Sequence, residues 1–166
     1  FRPPVVAVLS NMAAAGRPGQ HRAAKRIERE LADLVKEASF PVEVVGDACH
    51  RWIVHVAGAQ GTFYQGETFR LQFTFPDNYP IEAPEVIFLP APPVHPHIYS
   101  NGHICLSILY DAWSPALRVD SICVSIVSML SSATEKSPPS DNDRYVSRCG
   151  TKSPKQTAWA FHDDKA

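Results

Sequence analysis

Four side chains that could act as metal ligands or catalysts fall within eleven residues: His95, His97, His103 and Cys105. In a zinc site, neutral imidazoles and a thiolate would supply the nitrogen and sulfur ligands that this metal prefers. As a nucleophile, Cys105 would attack an acyl group or a thioester, with a nearby histidine or backbone amide stabilising the charge. A third interpretation is a buried cysteine without chemistry. Zinc is the weaker of the two chemical readings, because no second pair of ligands follows after a loop.

Three segments with helical patterning surround this cluster. An amphipathic helix is predicted from His21 onward, with four apolar residues on one face: Ile27, Leu31, Leu34 and Val35. A second, mostly buried helix should begin at Asp120 as its N-cap and carry Cys123 in its apolar stripe. A short helix over 142–149 would be stopped by Gly150. The first of these helices precedes the cluster in the sequence and the other two follow it, so that they would position it together.

Four short runs between the first two helices have the period-2 alternation of strands, at 42–46, 51–57, 68–75 and 85–89. Glycine and proline punctuate them, which predicts an antiparallel meander with one face buried beneath the first helix. Seven prolines between Pro76 and Pro96 then predict an extended loop that leads to the cluster. The expected fold class is therefore α+β.

Length and charge limit the organisation and the function of the chain. Its 166 residues fit one domain, which we place at 21–149, after a disordered leader (1–20) and before a polar, mobile tail (150–166). Sixteen Lys and Arg against seventeen Asp and Glu give a net charge of -1, which argues against nucleic-acid partners. No run approaches the roughly 18 apolar residues of a membrane span. Four cysteines without a CxxC pair favour a reducing compartment, hence the cytoplasm or nucleus.

The order of several motifs resembles the core of the ubiquitin-conjugating enzymes over about 21–145. YPIEAP at 79–84 matches the family's YPxxxP turn, and His95-Pro96 matches the start of its His-Pro-Asn motif. Cys105 stands where the family has its active cysteine, and WSP at 113–115 matches its WSP loop. The ending WAFHDDK and a histidine in the third motif position are closest to the W-type, plant-like members.

The resemblance implies the chemistry of Cys105. It would accept the C-terminal glycine of ubiquitin from the activating enzyme as a thioester and transfer it, with a ligase, to substrate amines. A thiolate suits this role because it is nucleophilic near neutral pH and its thioester stays reactive toward amines. No cofactor or metal is implied, since ATP is used by the activating enzyme. The sulfur of Cys105 must lie at the surface for this to work.

Two departures from the family pattern bear on the acceptor. His97 replaces an Asn that donates to the oxyanion, and it would donate only from a protonated nitrogen, or else serve as a backbone-bonded loop residue beside His95. Ser107 stands where lysine-modifying relatives carry Asp, and Glu135 and Asp141 provide no unambiguous gating acid. A site without such acids should favour α-amino groups, with a pKa of about 8, over lysine, at about 10.4. The W-type resemblance implies the same preference.

The resemblance also assigns two partner surfaces. Residues 1–30 carry an excess of about four positive charges, and the activating enzyme would bind four basic residues of the first helix: Arg22, Lys25, Arg26 and Arg29. Such a helical face is otherwise an ordinary solvated one. RING or U-box ligases would grip three residues: Ile81, Pro115 and Ala116. Trp113 is expected to be a structural anchor.

Two questions stay open from the sequence. The replaced Asn and Asp make a different protein conceivable, an inactive adaptor that keeps the fold and binds ubiquitin or a ligase. The aromatic residues Trp159 and Phe161 in the polar tail would either pack back on the domain or touch an acceptor.

Overall fold

The computed structural model describes residues 18–46 and 50–159, with side chains from Arg22 onward. Two single-turn 3-10 helices, Ser107–Leu109 and Pro154–Gln156, accompany seven α-helices and strands: α1 Pro18–Glu37, β1 Val42–Val44, β2 Arg51–Ala57, β3 Thr68–Thr74, β4 Glu85–Phe88, α2 Val119–Ser131 and α3 Asn142–Cys149. The α+β fold class is confirmed. The predicted bounds of β2 and α3 agree with the structure, whereas β1, β3 and β4 each end one or two residues earlier than expected.

The four strands form one antiparallel sheet in the order β1-β2-β3-β4, as predicted. Trp52 pairs with Phe73 and Val54 with Leu71, so that large apolar side chains of β2 and β3 share one face. Alternate residues of a strand point to the same side of the sheet. In β2 and β3 the residues on this side are buried. β4 lies at an edge of the sheet. Prolines next to an edge strand are tolerated, because they do not remove hydrogen bonds from a central strand.

Two helices, rather than α1 alone, supply the cover for this face. α2 packs against β2, and its residues Ile122, Cys123 and Ile126 are fully buried. Ile27 and Leu34 of α1 join the same core. Val35, predicted to share that face, is 43% exposed. Cys123 is therefore a core residue, as its position in the apolar stripe predicted.

The predicted N-cap of α2 is wrong. The helix follows Arg118 in an extended conformation, and no local side chain caps it. Instead, the amide of Val119 donates to Oε2 of Glu30 on α1, at 2.9 Å. Asp120 lies inside the first turn and accepts from the amide of Ser121. A carboxylate near a helix N-terminus is favourable electrostatically, and here it comes from another helix.

Both ends of the predicted domain require correction. α1 begins at Pro18, three residues inside the expected leader, and the remainder of that leader lies outside the described residues. Residues 150–159, expected to be a mobile tail, pack against the domain with Pro154 buried. Residues 160–166, which include Phe161, lie outside the described part of the chain, as does Cys49. Among the helices of the described ranges, none combines the length and apolar composition needed to span a membrane.

Candidate active site

Backbone hydrogen bonds fold the segment around Cys105 into a tight turn. The amide of Cys105 donates to the carbonyl of His97 at 2.8 Å, and the amide of Tyr99 donates to the carbonyl of His103 at 2.9 Å. Gly102 closes the turn with φ of 88°, and a Cβ there would lie 2.1 Å from the carbonyl oxygen of Phe88. Glycine is therefore required for close approach as well as for conformation. The predicted turn at Asn101-Gly102 is confirmed.

Cys105 is less accessible than the sequence analysis requires. Its residue surface is 8% exposed, and it belongs to a small apolar cluster with Tyr99, Tyr145 and Cys149, separate from the main core. Trp159 packs against the same cluster. The other residues of the cluster come from the loop before Cys105 and from α3, and the segment after α3 contributes Trp159. The expectation of a sulfur at the open surface is therefore wrong for this conformation.

His95 is a buried, neutral histidine that supports the loop. Its Nε2 lies 3.2 Å from the carbonyl oxygen of Met129 and donates to it, while Nδ1 accepts from the amide of His97 at 3.0 Å. Burial, with a smaller contribution from the neighbouring His97, lowers the pKa of His95 to about 4. His95 thus ties the loop to the end of α2.

The main chain of His97 links His95 to Cys105. Its amide donates to His95, and its carbonyl accepts from Cys105. The half-buried imidazole ring lies 5.5 Å, centre to centre, from that of His95. Residue 97 therefore fixes the backbone of the nucleophile's loop whatever its side chain does in catalysis.

His103 faces away from the other two histidines. Its Nδ1 is 2.9 Å from the hydroxyl of Tyr145 and 3.7 Å from Sγ of Cys149, and burial lowers its pKa. The histidines thus have separate partners. No group of three or more His, Cys, Asp or Glu in the described ranges could hold a metal ion. The zinc interpretation is not supported by this arrangement.

An acid that the sequence left ambiguous lies close to the cluster. Asp141, at the N-terminus of α3, accepts a hydrogen bond from the hydroxyl of Tyr99 at 3.0 Å. Burial raises the pKa of Tyr99, and the hydrogen bond to Asp141 raises it further. Glu135 is exposed in the preceding loop. Sequence reasoning missed Tyr99 and Tyr145 because their partners are 42 residues away along the chain.

Comparisons with known proteins decide the family. The family model described as "Ubiquitin-conjugating enzyme" matches residues 26–162. The chain belongs to the ubiquitin-conjugating enzyme family. Probable ubiquitin-conjugating enzyme E2 W of Dictyostelium discoideum is 56% identical over 144 residues, covering 86% of this chain and 97% of the relative. Ubiquitin-conjugating enzyme E2 W of Caenorhabditis elegans is 52% identical over 147 residues, covering 86% and 96%.

A solved structure gives the same result. The crystal structure of a ubiquitin-conjugating enzyme from Agrocybe aegerita superposes with a TM-score of 0.72 and 42% sequence identity, over 80% of this chain and 98% of that chain. The protein is therefore an enzyme of a ubiquitin transferase family with the α+β ubiquitin-conjugating fold. Several relatives carry the W designation, as the resemblance indicated.

In this ubiquitin-conjugating enzyme, the basic residues of α1 divide into two groups. Arg22, Lys25 and Arg29 are exposed. Arg26 is half-buried and forms an ion pair with Glu30, and its Nη2 donates to the carbonyl of Leu117 at 3.0 Å. Arg26 is thus engaged within the protein, which its position in a basic helical face did not reveal.

The predicted ligase residues lie on two neighbouring loops. Ile81 is 73% exposed, and Pro115 and Ala116 are exposed as well. The indole Nε1 of Trp113 donates to the carbonyl of Pro80 at 3.0 Å, which joins the WSP loop to the YPxxxP turn. Trp113 is therefore structural, as expected.

The turn is also fixed from beneath. The hydroxyl of Tyr79 donates at 2.8 Å to Oε1 of Glu30, a carboxylate only 2% exposed. Glu30 therefore connects α1, the YPxxxP turn and the start of α2.

Proposed function

We propose that this ubiquitin-conjugating enzyme carries ubiquitin as a thioester on Cys105 and transfers it, with a RING or U-box ligase, to substrate amines, favouring N-terminal α-amino groups. The observation that carries the proposal is the loop at 95–105, where the carbonyl of His97 accepts from the amide of Cys105 and Nδ1 of His95 accepts from the amide of His97. The buried Cys123 is a poor rival, because burial strongly raises its pKa.

The reaction consists of two acyl transfers. The thiolate of Cys105 attacks the carbonyl carbon of the thioester on the activating enzyme, and the activating enzyme's thiolate leaves. An unprotonated amine then attacks the new thioester, Cys105 leaves as a thiolate, and the amine nitrogen loses a proton as the amide forms. Because one thioester replaces another, the enzyme's task is mainly to position the reacting groups. ATP is consumed by the activating enzyme, and no cofactor of this protein takes part.

Three features of the site support a preference for α-amino groups. Asp141 is hydrogen-bonded to Tyr99, position 107 is a serine, and position 97 is a histidine. An acceptor that needs no help to lose its proton is favoured in such a site. Near pH 7 the unprotonated fraction of an α-amino group exceeds that of a lysine by about 300-fold.

The exposed charges and apolar residues supply the partner surfaces of the proposal. Arg22, Lys25 and Arg29 would meet an acidic region of the activating enzyme. A ligase would contact Ile81 together with Pro115 and Ala116. Work with these partners would take place in the cytoplasm or nucleus, where the thiol stays reduced.

A discharge experiment tests the amine preference. Enzyme loaded with ubiquitin is freed of ATP and mixed with one of two peptides, a lysine-free peptide with a free N-terminus or an N-acetylated peptide with one lysine. We expect faster discharge to the first, with a rate that rises with pH, reaches half of its maximum at about pH 8 and levels off above about pH 9. Efficient discharge to the lysine peptide without discharge to the α-amino peptide would contradict the preference.

The 8% exposure of Cys105 favours one rival function, an inactive adaptor that binds ubiquitin or a ligase. The adaptor should bind ubiquitin in a titration yet form no reductant-sensitive adduct with the activating enzyme and ATP. Formation of that adduct would exclude this rival.

A further inference from the structure

Residues 150–159, which we call the strap, are tied to the strand and turn that precede the active loop. The hydroxyl of Ser153 donates to the carboxylate of Glu85 at the start of β4. Nζ of Lys155 lies 2.7 Å from Oε1 of Glu82 and also donates to the carbonyl of Ala83. The strap is thus bound beside the YPxxxP turn.

The far end of the strap lies on the cluster that contains Cys105. The indole ring of Trp159 is 4.8 Å, centre to centre, from Tyr110 and 5.4 Å from Tyr145. Its Nε1 donates to the carbonyl of Pro154 at 2.9 Å, which folds the strap back on itself. The strap is joined to α3 by a contact of 3.2 Å between Thr157 Oγ1 and the Tyr145 hydroxyl.

Closure of the strap conflicts with the chemistry of the enzyme. A thiolate that exchanges with a thioester held by another protein must be reached by a carbonyl carbon and its surroundings. Cys105 is 8% exposed, and Trp159 packs against the cluster to which Cys105 belongs, with its ring beside those of Tyr99 and Tyr145. Part of this cover must therefore move before ubiquitin is accepted.

We propose that the strap is a gate over Cys105, latched by the ion pair between Lys155 and Glu82, and that its opening precedes loading. The gate rests on the proposed function only for the identity of the acyl group, since shielding of the thiol is independent of ubiquitin. Opening exposes Cys105 while the main core stays intact, because the strap and cluster are separate from that core.

The latch is suited to frequent opening. The side chain of Glu82 is 50% exposed and that of Lys155 is 24% exposed. Ion pairs at this exposure stabilise weakly and are screened by salt. Peripheral segments with few buried contacts open more readily than the domain as a whole. Higher ionic strength should therefore increase access to Cys105.

The test is the rate at which iodoacetamide alkylates Cys105 in the full chain, read by mass spectrometry of the peptide that contains it. Lys155→Glu should accelerate alkylation by about twofold to fivefold, the range that an exposed ion pair supports. Lys152→Glu is the matched control, because it makes the same charge change at an exposed strap residue outside the latch. It should react at the wild-type rate.

Two further variants separate the latch from the cover. The exchanged pair Glu82→Lys with Lys155→Glu should return the rate toward that of the wild type, since an ion pair is restored. Trp159→Ala should accelerate alkylation by about tenfold, because it removes the aromatic packing of the strap on Tyr110 and Tyr145. Circular dichroism would verify that each variant is folded.

Equal alkylation rates for wild type, Lys155→Glu and Trp159→Ala would overturn the gate. Acceleration by Lys152→Glu as large as by Lys155→Glu would overturn the latch, since charge alone would then be the cause. The expected rates without any ubiquitin adduct would leave the gate standing and refute the proposed function. Adduct formation with uniform rates would refute the gate alone.

Discussion

The turn at 79–84, which we propose as a ligase surface, and the Cys105 loop are anchored to the domain in different ways. Beneath the turn lies a buried carboxylate, Glu30, that binds Tyr79, Arg26 and the first amide of α2. Beside Cys105 lies a small aromatic cluster, covered by a strap with a half-exposed ion pair. The recognition surface is therefore built into the core, whereas the reaction centre is covered by a part of the protein that opens at low cost.

This difference suggests a division of labour. A rigid turn would present Ile81 to the proposed ligase without an ordering cost on binding. A movable cover over Cys105 admits large partners, a ubiquitin tail first and a substrate amine later. The following predictions compare the two regions, from the largest expected effect to the smallest.

Glu30→Ala should cause the largest loss of stability. It leaves the guanidinium of Arg26, the hydroxyl of Tyr79 and the amide of Val119 without their buried acceptor. Breaking a buried charge pair on one side costs about 3–5 kcal/mol. Urea unfolding measures the loss, and Glu28→Ala on the same helix should change the free energy of unfolding by less than about 0.5 kcal/mol. Equal effects would show that the turn is not held from the core.

Acid should weaken the anchoring of the Cys105 loop through His95. Its pKa in the folded state, about 4, lies below the unfolded value of about 6.5, so the unfolded chain binds the proton first as pH falls. Up to about 3 kcal/mol of stability is then present above pH 6.5 and lost between about pH 6.5 and 4. The measurement is the free energy of unfolding of wild type and of His95→Gln, plotted against pH. Between about pH 6.5 and 4 the variant should show a smaller slope. Identical slopes would contradict the role of His95.

Trp113→Phe should loosen the turn without affecting loading. The variant removes the indole donor to the carbonyl of Pro80, which costs about 0.5–1.5 kcal/mol. Ligase-dependent discharge should decrease, while formation of the thioester on Cys105 should keep its wild-type rate. Ile81→Ala provides the comparison, since it removes contact surface and leaves the loop connection unchanged. A loading defect in Trp113→Phe would show that the two regions are not independent.

Arg29→Ala should have the smallest effect. Exposed charges at an interface act mainly on the association rate, so loading by the activating enzyme should slow by about twofold to fivefold at low salt. Arg29→Lys, which keeps the charge, should load normally, and the defect should disappear at high salt. A defect that persists at high salt would contradict an electrostatic role.

Most of the fold could be predicted from local sequence patterns. The alternation over 51–57 and the turn residues around Asn101 depend on neighbouring residues, and the structure agrees with both. The N-cap of α2 was mispredicted because its acceptor, Glu30, is 89 residues away from Val119. The helical spacing of Glu30, three residues after Ile27 and four before Leu34, places it on the buried face of α1, but the local sequence does not show its distant partners.

The site was less predictable than the fold for the same reason. Ordered motifs singled out Cys105, but its cover depends on contacts made by Tyr145 and Trp159 from later in the chain. The strap is mostly polar, with two lysines and one proline among its ten residues, a composition typical of mobile tails. Its contacts through Lys155 and Ser153 depend on side chains from the turn and from β4, which composition does not reveal.

The most direct test of the account is thioester formation at position 105. Wild type, Cys105→Ala and Cys123→Ala are each incubated with activating enzyme, ubiquitin and ATP, and the products are separated with and without reductant. We expect one ubiquitin adduct, sensitive to reductant, in the wild type and in Cys123→Ala, and none in Cys105→Ala. An adduct that persists in Cys105→Ala, or its absence from the wild type, would contradict the proposed role of Cys105.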